Sequence, residues 1–327
     1  MKLKILLISL LISSLSACST LNSSGQSPTA EVERNVYTNL PGANGRIFAV
    51  KFDDTNQAHP QQGVESADIV YITQVEAGLT RLMGIYSSNY PEILGPIRSA
   101  RISDLEILAQ FGKVGFLYSG AQSKLRTVIS QSNLVNLSAE RNPPTIYFND
   151  DQRIPPYAMM VKPNLLLEKA IEVESAKSVG WEHGAKAANA KRVSAVTVNW
   201  PNAEYGITWS KKEKRFLLSH NGNTNLAESG IQLGSSMMVV QMVEITPSEY
   251  GDKFGGITPK SHTVGSGTAY LLRNGSVTKA VWSRPSVDST TSWSLEDGST
   301  AYFAPGQVWI FLTDQEPEFI YPVKREP

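Results

Sequence analysis

The chain has one cysteine in 327 residues, Cys18, and it stands at the end of an N-terminal apolar run. Whatever follows must fold without a disulfide, a thiolate metal site or a thiolate nucleophile, so an apolar core has to hold it together unaided. A cysteine-dependent transpeptidase or protease is excluded on the same ground. The composition can build such a core: 41% of residues are hydrophobic and 18% charged, which is globular and neither disordered nor polytopic. The length allows two domains of about 150 residues each. Thirty basic against thirty acidic residues remove the electrostatic footprint of a nucleic-acid binder.

Lys2 and Lys4 precede the apolar stretch Ile5 to Ile12, which fades into Ser13, Ser14, Leu15, Ser16 and Ala17. A charged start, a short apolar run and small residues form a secretion signal, here residues 1–17. The run is too short to cross a bilayer, which needs about 20 apolar residues. Leu15-Ser16-Ala17-Cys18 resembles a bacterial lipobox, so cleavage is expected before Cys18, whose sulfur would carry the diacylglycerol. A plain cleaved signal with an incidental cysteine, or a buried N-terminal helix, are the alternatives. Loss of residues 1–17 leaves 28 basic against 30 acidic residues. Acyl chains and not a polybasic patch would then hold the protein to the extracytoplasmic face of the cell membrane.

Residues 18–40, rich in Ser, Thr, Asn, Gly and Pro, read as a flexible tether. Beyond them Phe48, Val50 and Phe52 alternate with Ile47, Ala49 and Lys51, the period of a strand. Two β-rich runs, Ala67 to Glu76 and Leu79 to Ser87, meet at Ala77-Gly78 as a hairpin. A capping box at Ser103 to Glu106 predicts a helix with Leu105, Leu108 and Phe111 on one face and Gly112 as its stop. A second helix carries Leu125, Val128 and Ile129, and a third is expected from Pro163 to about Lys177. Mixed strands and helices predict an α/β layered sandwich over 41–188. After the polar join Glu182 to Arg192, short strands and the turn Asn274-Gly275 predict a mostly β domain over 191–327, giving an α+β chain of two folding units.

Familiar catalytic signatures are missing. No G-x-S-x-G elbow occurs. Ser276-Val277-Thr278-Lys279 matches S-x-x-K, but it follows Asn274-Gly275 on a predicted strand, where positions three apart face opposite sides. His59, His183, His220 and His262 are far apart in the chain and form no H-x-x-x-H pair, so neither metal nor cofactor is expected.

What remains is charge embedded in apolar sequence: Asp53, Asp54, Asp68, Glu76, Arg81, Arg98 and Arg101. Glu76 and Arg81 flank the Ala77-Gly78 turn, close enough to meet. Gly95-Pro96 delivers Arg98 and Arg101 to the start of the capped helix, where free N–H groups and guanidinium forks suit an anion. A structural ion-pair network, ligand binding through the arginines, and catalysis by the carboxylates are all compatible with this pattern.

The same residues carry a family resemblance. Ala49-Val50-x-x-Asp53, Pro60-Gln61-x-Gly63, Ala67-Asp68-Ile69-Val70-Tyr71, Val75-Glu76-x-Gly78-x-Thr80-Arg81 and Gly95 to Arg101 are similar to the N-terminal domain of the YerB-like bacterial lipoproteins. Gly265-x-Gly267-x-Ala269-Tyr270, Asn274-Gly275, Trp282, Asp297-Gly298 and Pro305-Gly306-Gln307-x-Trp309-Ile310 match its C-terminal half. The resemblance implies a lipid-anchored, two-domain extracytoplasmic protein whose first domain is a layered α/β sandwich. The family is one of unknown function, so no catalytic residue is carried over. Ile72, Ala77 and Pro156-Tyr157-Ala158 depart from the family pattern, which leaves the arginine cluster as the feature to follow. The expected function is a non-catalytic envelope module that binds an anionic cell-wall component or an envelope protein, with Glu76 and Asp68 orienting the arginines. The alternative is a hydrolase or transferase acting on an envelope polymer through Asp53, Asp68 or Glu76.

Overall fold

The computed structural model describes residues 32–252 and 254–323. Cys18, the expected signal and the first part of the expected tether lie outside the described residues. Within 32–40 the tether expectation is corrected. The Asn35 side chain accepts hydrogen bonds from the N–H groups of Tyr37 and Thr38, at 3.0 and 3.1 Å. That turn drives the Tyr37 ring edge-on against Phe111, centroids 5.7 Å apart, where it is fully buried. Residues 35–38 are held by core contacts although no apolar alternation marks them.

In the first half of the chain the strands of the large sheet are β1 (Phe48–Asp53), β2 (Ile69–Gln74), β3 (Thr80–Tyr86), β4 (Val114–Leu117) and β5 (Leu134–Asn136), and Tyr147–Asn149 pairs with Met159–Val161 in a separate ribbon. Two short helices, α1 (Ile102–Ala109) and α2 (Ser123–Gln131), accompany them. The second half supplies β6 (Ala195–Trp200), β7 (Ala203–Ser210), β8 (Arg215–His220), β9 (Met237–Met242), β10 (Ile245–Gly251) and β11 (Ile257–Ser261). It continues with β12 (Gly265–Arg273), β13 (Ser276–Arg284), β14 (Ser292–Leu295), β15 (Val308–Thr313) and β16 (Glu318–Ile320).

One large sheet runs β14-β13-β12-β9-β15-β2-β3-β1-β4-β5. A smaller one contains β8-β7-β6-β16. The expectation of two separately folding units is corrected by the large sheet. β15 lies parallel to both β9 and β2, with Ile69 opposite Val308 and Ile72 opposite Phe311, so strands from both halves share one ladder. From Glu33 onward the chain is one compact unit. The join is not free either: Trp181 stacks on Phe303 at 4.8 Å, and Arg192 pairs with Ser276 of β13.

The chain is mostly β. In the first half two helices of eight and nine residues pack against one face of the strands. The expected helix from Pro163 stops as a 3-10 segment at Lys169, and Ile171, placed on its apolar face, is 76% exposed. In α1 the cap is Arg101, whose N–H donates to Asp104 at 2.7 Å, and the buried face is Ile107, Leu108 and Phe111, while Leu105 is only half-buried.

Alternation along β1 sorts its residues between two cores. Phe48, Val50 and Phe52 pack with Trp200, Tyr205, Phe216 and Phe311, filling the space between the two sheets. Ala49 joins Met83, Ile85, Ile107, Phe111 and Ile129 on the helix side. Both hairpin expectations hold: Asn274 and Gly275 carry the positive φ of a tight two-residue turn between Arg273 and Ser276, and Ala77 and Gly78 carry positive φ within the longer connection from Gln74 to Thr80. Ser276 is buried on β13 while Lys279 is exposed and pairs with Glu296, so the S-x-x-K match is an accident of spacing.

Candidate functional site

β1 is paired on both edges, by β3 and β4, and buried on both faces by the two cores, yet it places Lys51 and Asp53 on the helix side. Lys51 is fully buried; its ammonium donates to Asp104 Oδ1 at 2.5 Å and to the Thr73 hydroxyl at 3.2 Å. Burial pulls the Lys51 pKa below the ordinary lysine value, against the pull of Asp104. Asp53 lies opposite Arg81 in the β1–β3 register and pairs with it at 3.4 Å, and with Arg98 Nε at 2.9 Å. Arg81 is 5% exposed, and burial lowers its pKa although Asp53 opposes the shift. Arg98 donates to the Pro156 carbonyl and rests over the Tyr157 ring, 5.6 Å from its centroid. Arg101 grips Glu76 with Nε and Nη2, both at 2.9 Å from Oε2. Burial raises the Glu76 pKa, but Arg101 and the Thr258 hydroxyl outweigh it and hold the carboxyl below its usual range.

Most of the charged residues picked from the sequence therefore meet, with different pairings. Glu76 holds Arg101 and not Arg81; Asp53 holds Arg81 and Arg98. Asp68 does not belong to the cluster. It accepts from the backbone N–H and hydroxyl of both Ser87 and Ser88, locking the end of β3, and orients no arginine. Lys51 and Asp104 were missed as members. A lysine in the centre of an apolar alternating strand is the available signal, whereas Asp104 lies inside the expected Ser103 to Glu106 capping box with nothing local to mark a buried lysine as its partner. A cavity of about 260 Å³ lies beyond Glu76, lined by Gln74, Val75, Ala77, Pro201, Ile245 and Ile257 among others, and none of the three arginines lines it.

Asp54 faces away from Asp53 into a second cluster that spans both halves. It accepts from Thr80 at 2.6 Å, from the Tyr205 hydroxyl at 2.8 Å and from Gln61 at 3.2 Å. His59 Nε2 lies 3.2 Å and His220 Nε2 3.7 Å from its two oxygens. Burial pushes Asp54 up, but His220, His59 and Thr80 reverse this and bring it to about 2. Burial lowers the His220 pKa, which favours the neutral ring. Histidines that are 161 positions apart in sequence thus stack with centroids 4.5 Å apart. Only the pairing of loop 54–61 with β7 and β8 makes this visible.

The family descriptions "Protein of unknown function (DUF3048) N-terminal domain" and "C-terminal domain" match residues 35–177 and 196–310. The chain belongs to this YerB-like family. A protein of Bacillus subtilis (strain 168) named "Putative lipoprotein YerB" is 43% identical over 56 residues, a stretch that is 17% of each chain. The crystal structure of YerB protein from Bacillus subtilis superposes with a TM-score of 0.75, covering 88% of this chain and 99% of that one at 18% identity. At that identity the likeness establishes the fold. The two family segments lie on either side of the join, and in this chain they are knitted together by the β2–β15 pairing.

Proposed function

We propose that this YerB-like chain is a lipid-anchored, extracytoplasmic protein of the cell envelope, acylated at Cys18, whose folded body binds an anionic group of the wall or of a partner protein at Arg98. The signal and lipobox support the anchor, as does the name of the Bacillus subtilis relative. One observation carries the binding reading. The linked cluster holds four cations, Lys51, Arg81, Arg98 and Arg101, against three carboxylates, Asp53, Glu76 and Asp104, and Arg98 is its most exposed cation at 25%. A surplus positive charge is cheapest where water or an anion can reach it, and Asp53 and Tyr157 pre-orient that guanidinium. No observation favours catalysis by Asp53, Asp68 and Glu76, since each is committed to fixed donors.

The test is titration of the wild type and of Arg98→Lys with a soluble poly(glycerol phosphate) and with a neutral glycan. The wild type should bind the polyanion, more weakly as salt rises. Arg98→Lys keeps the charge but loses the planar fork, so affinity should fall about tenfold, or ~1.4 kcal/mol, with little change in melting point. A large loss of stability in Arg98→Lys, with no anion binding by the wild type, would leave a purely structural network.

A further inference from the structure

We propose that Asp54, His59 and His220 form a binding site for a transition-metal dication of the zinc type. The donor set is two imidazole nitrogens and one carboxylate oxygen, all within 4.8 Å of one another. Two neutral rings and one carboxylate carry a single negative charge, and nitrogen donors select zinc, cobalt or nickel over magnesium or calcium, which prefer oxygen.

A second observation points to a ligand. Three buried polar atoms of this one cluster make no hydrogen bond: His220 Nε2, Gln61 Oε1 and Asn225 Nδ2. His220 is 4% exposed, and its free nitrogen is aimed at Asp54. Buried polar groups are nearly always satisfied, and of these three only His220 Nε2 and Gln61 Oε1 offer a lone pair, so two acceptors beside one carboxylate call for a shared electron-pair acceptor; the Asn225 amide is a donor and stays outside the ligand set. The surrounding shell is that of a held ligand set. In the neutral ring that donates its Nδ1–H to Asn225 Oδ1, 3.1 Å away, the lone pair lies on Nε2, which is 3.2 Å from both Asp54 Oδ1 and Gln61 Nε2. Thr80 and Tyr205 steady the carboxylate.

The geometry also says what must move. A tetrahedral ion with bonds of about 2.0–2.1 Å sets its donors ~3.3 Å apart. The spacing of 3.2 Å from His59 Nε2 to Asp54 Oδ1 already meets this, whereas His220 Nε2 lies 3.7 Å from the other oxygen, Oδ2, so the carboxylate must turn to present one oxygen to both rings. The two rings are nearly parallel, 13° apart, and an ion can lie in both planes only after one ring turns. His220 is fixed in β8, whereas His59 follows a 3-10 turn on a loop and its side chain is 17% exposed. His59 is therefore the ring that swings, and the fourth position is left to water or to the Tyr205 oxygen. Because Asp54 and His59 come from the first family segment and His220 from the second, the ion would clamp the two together.

The experiment uses the metal-stripped chain with Cys18→Ser, so that no thiolate contributes. Calorimetric titration with Zn²⁺ should give one site per chain and a raised melting point. Co²⁺ should develop the visible bands of a tetrahedral nitrogen–oxygen site, and Mg²⁺ should do neither. His59→Ala, at the loop ligand, should fold normally and abolish the site, while Asn225→Ala should weaken it about 10–100-fold. Absence of stoichiometric Zn²⁺ or Co²⁺ binding by the wild type would overturn the proposal, as would unchanged binding by His59→Ala and by His220→Gln.

Discussion

Asp104→Asn is the sharpest probe of the buried cluster, because it removes one charge and little else. Asparagine keeps an oxygen for the Arg101 N–H, so the α1 cap survives. Lys51, fully buried, is left with its ammonium against neutral amide and the Thr73 hydroxyl. Breaking a buried pair by removing one partner typically costs about 3–5 kcal/mol, whereas replacing both partners by apolar groups is often neutral. Urea unfolding followed by tryptophan fluorescence should therefore show a loss of about 3–5 kcal/mol for Asp104→Asn, a large share of a total near 5–15 kcal/mol. At about 2 °C per kcal/mol for a body of this size, the midpoint should fall by roughly 6–10 °C. Lys51→Met combined with Asp104→Asn should recover at least ~2 kcal/mol of that, a coupling expected of directly bonded residues. A pH series adds a sign. Burial already depresses the Lys51 pKa in the folded state, and losing Asp104 depresses it further. Between the folded and unfolded values the unfolded chain binds more protons, so the stability of the variant should rise with pH and close on the wild type. A loss below about 1 kcal/mol, or the same loss in the Lys51→Met background, would refute the account of this pair.

Three further outcomes follow from the sequence and the fold. Cys18→Ala should leave unprocessed precursor or release soluble protein, since each buried acyl CH₂ contributes about 0.8 kcal/mol to anchoring; a variant that fractionates with membranes as processed wild type does would exclude the lipid anchor. Residues 33–188 and 191–323 expressed separately should each lack a cooperative melt, because β2 and β15 would become bare edges; a sharp transition in either half would restore two folding units. Burial raises the Glu76 pKa, but its bonds to Arg101 and Thr258 reverse this and leave it depressed, so its contribution is present above the unfolded value of about 4.3 and fades as pH falls through the folded one. Glu76→Gln should accordingly flatten the acid limb of the stability profile, and an unchanged limb would count against the Arg101 pairing.

Local chemistry was legible wherever it acts between neighbours. The period of β1, the positive-φ turns at Ala77-Gly78 and Asn274-Gly275, and the break in texture near residue 190 all depend on residues within a few positions, and the chain spells them out. The density of charge around Asp53, Arg81, Arg98 and Arg101 was also visible, because charged residues inside apolar runs must find partners. Which partners they find was not: Glu76 turned from Arg81 to Arg101, Asp68 left the cluster for Ser87 and Ser88, and Lys51 entered it. Those choices are set by strand register and by the approach of α1, which are long-range. The same reason hid the shared sheet, since nothing local marks β2 and β15 as parallel neighbours 239 residues apart at Ile69 and Val308. It also hid the histidine pair, for His59 and His220 become neighbours only when a loop of one half closes on a strand of the other. Sequence alone determined the local strands and turns and carried the lipobox from which the anchor at Cys18 is proposed; tertiary packing, by matching buried charges to distant partners, decided the sites.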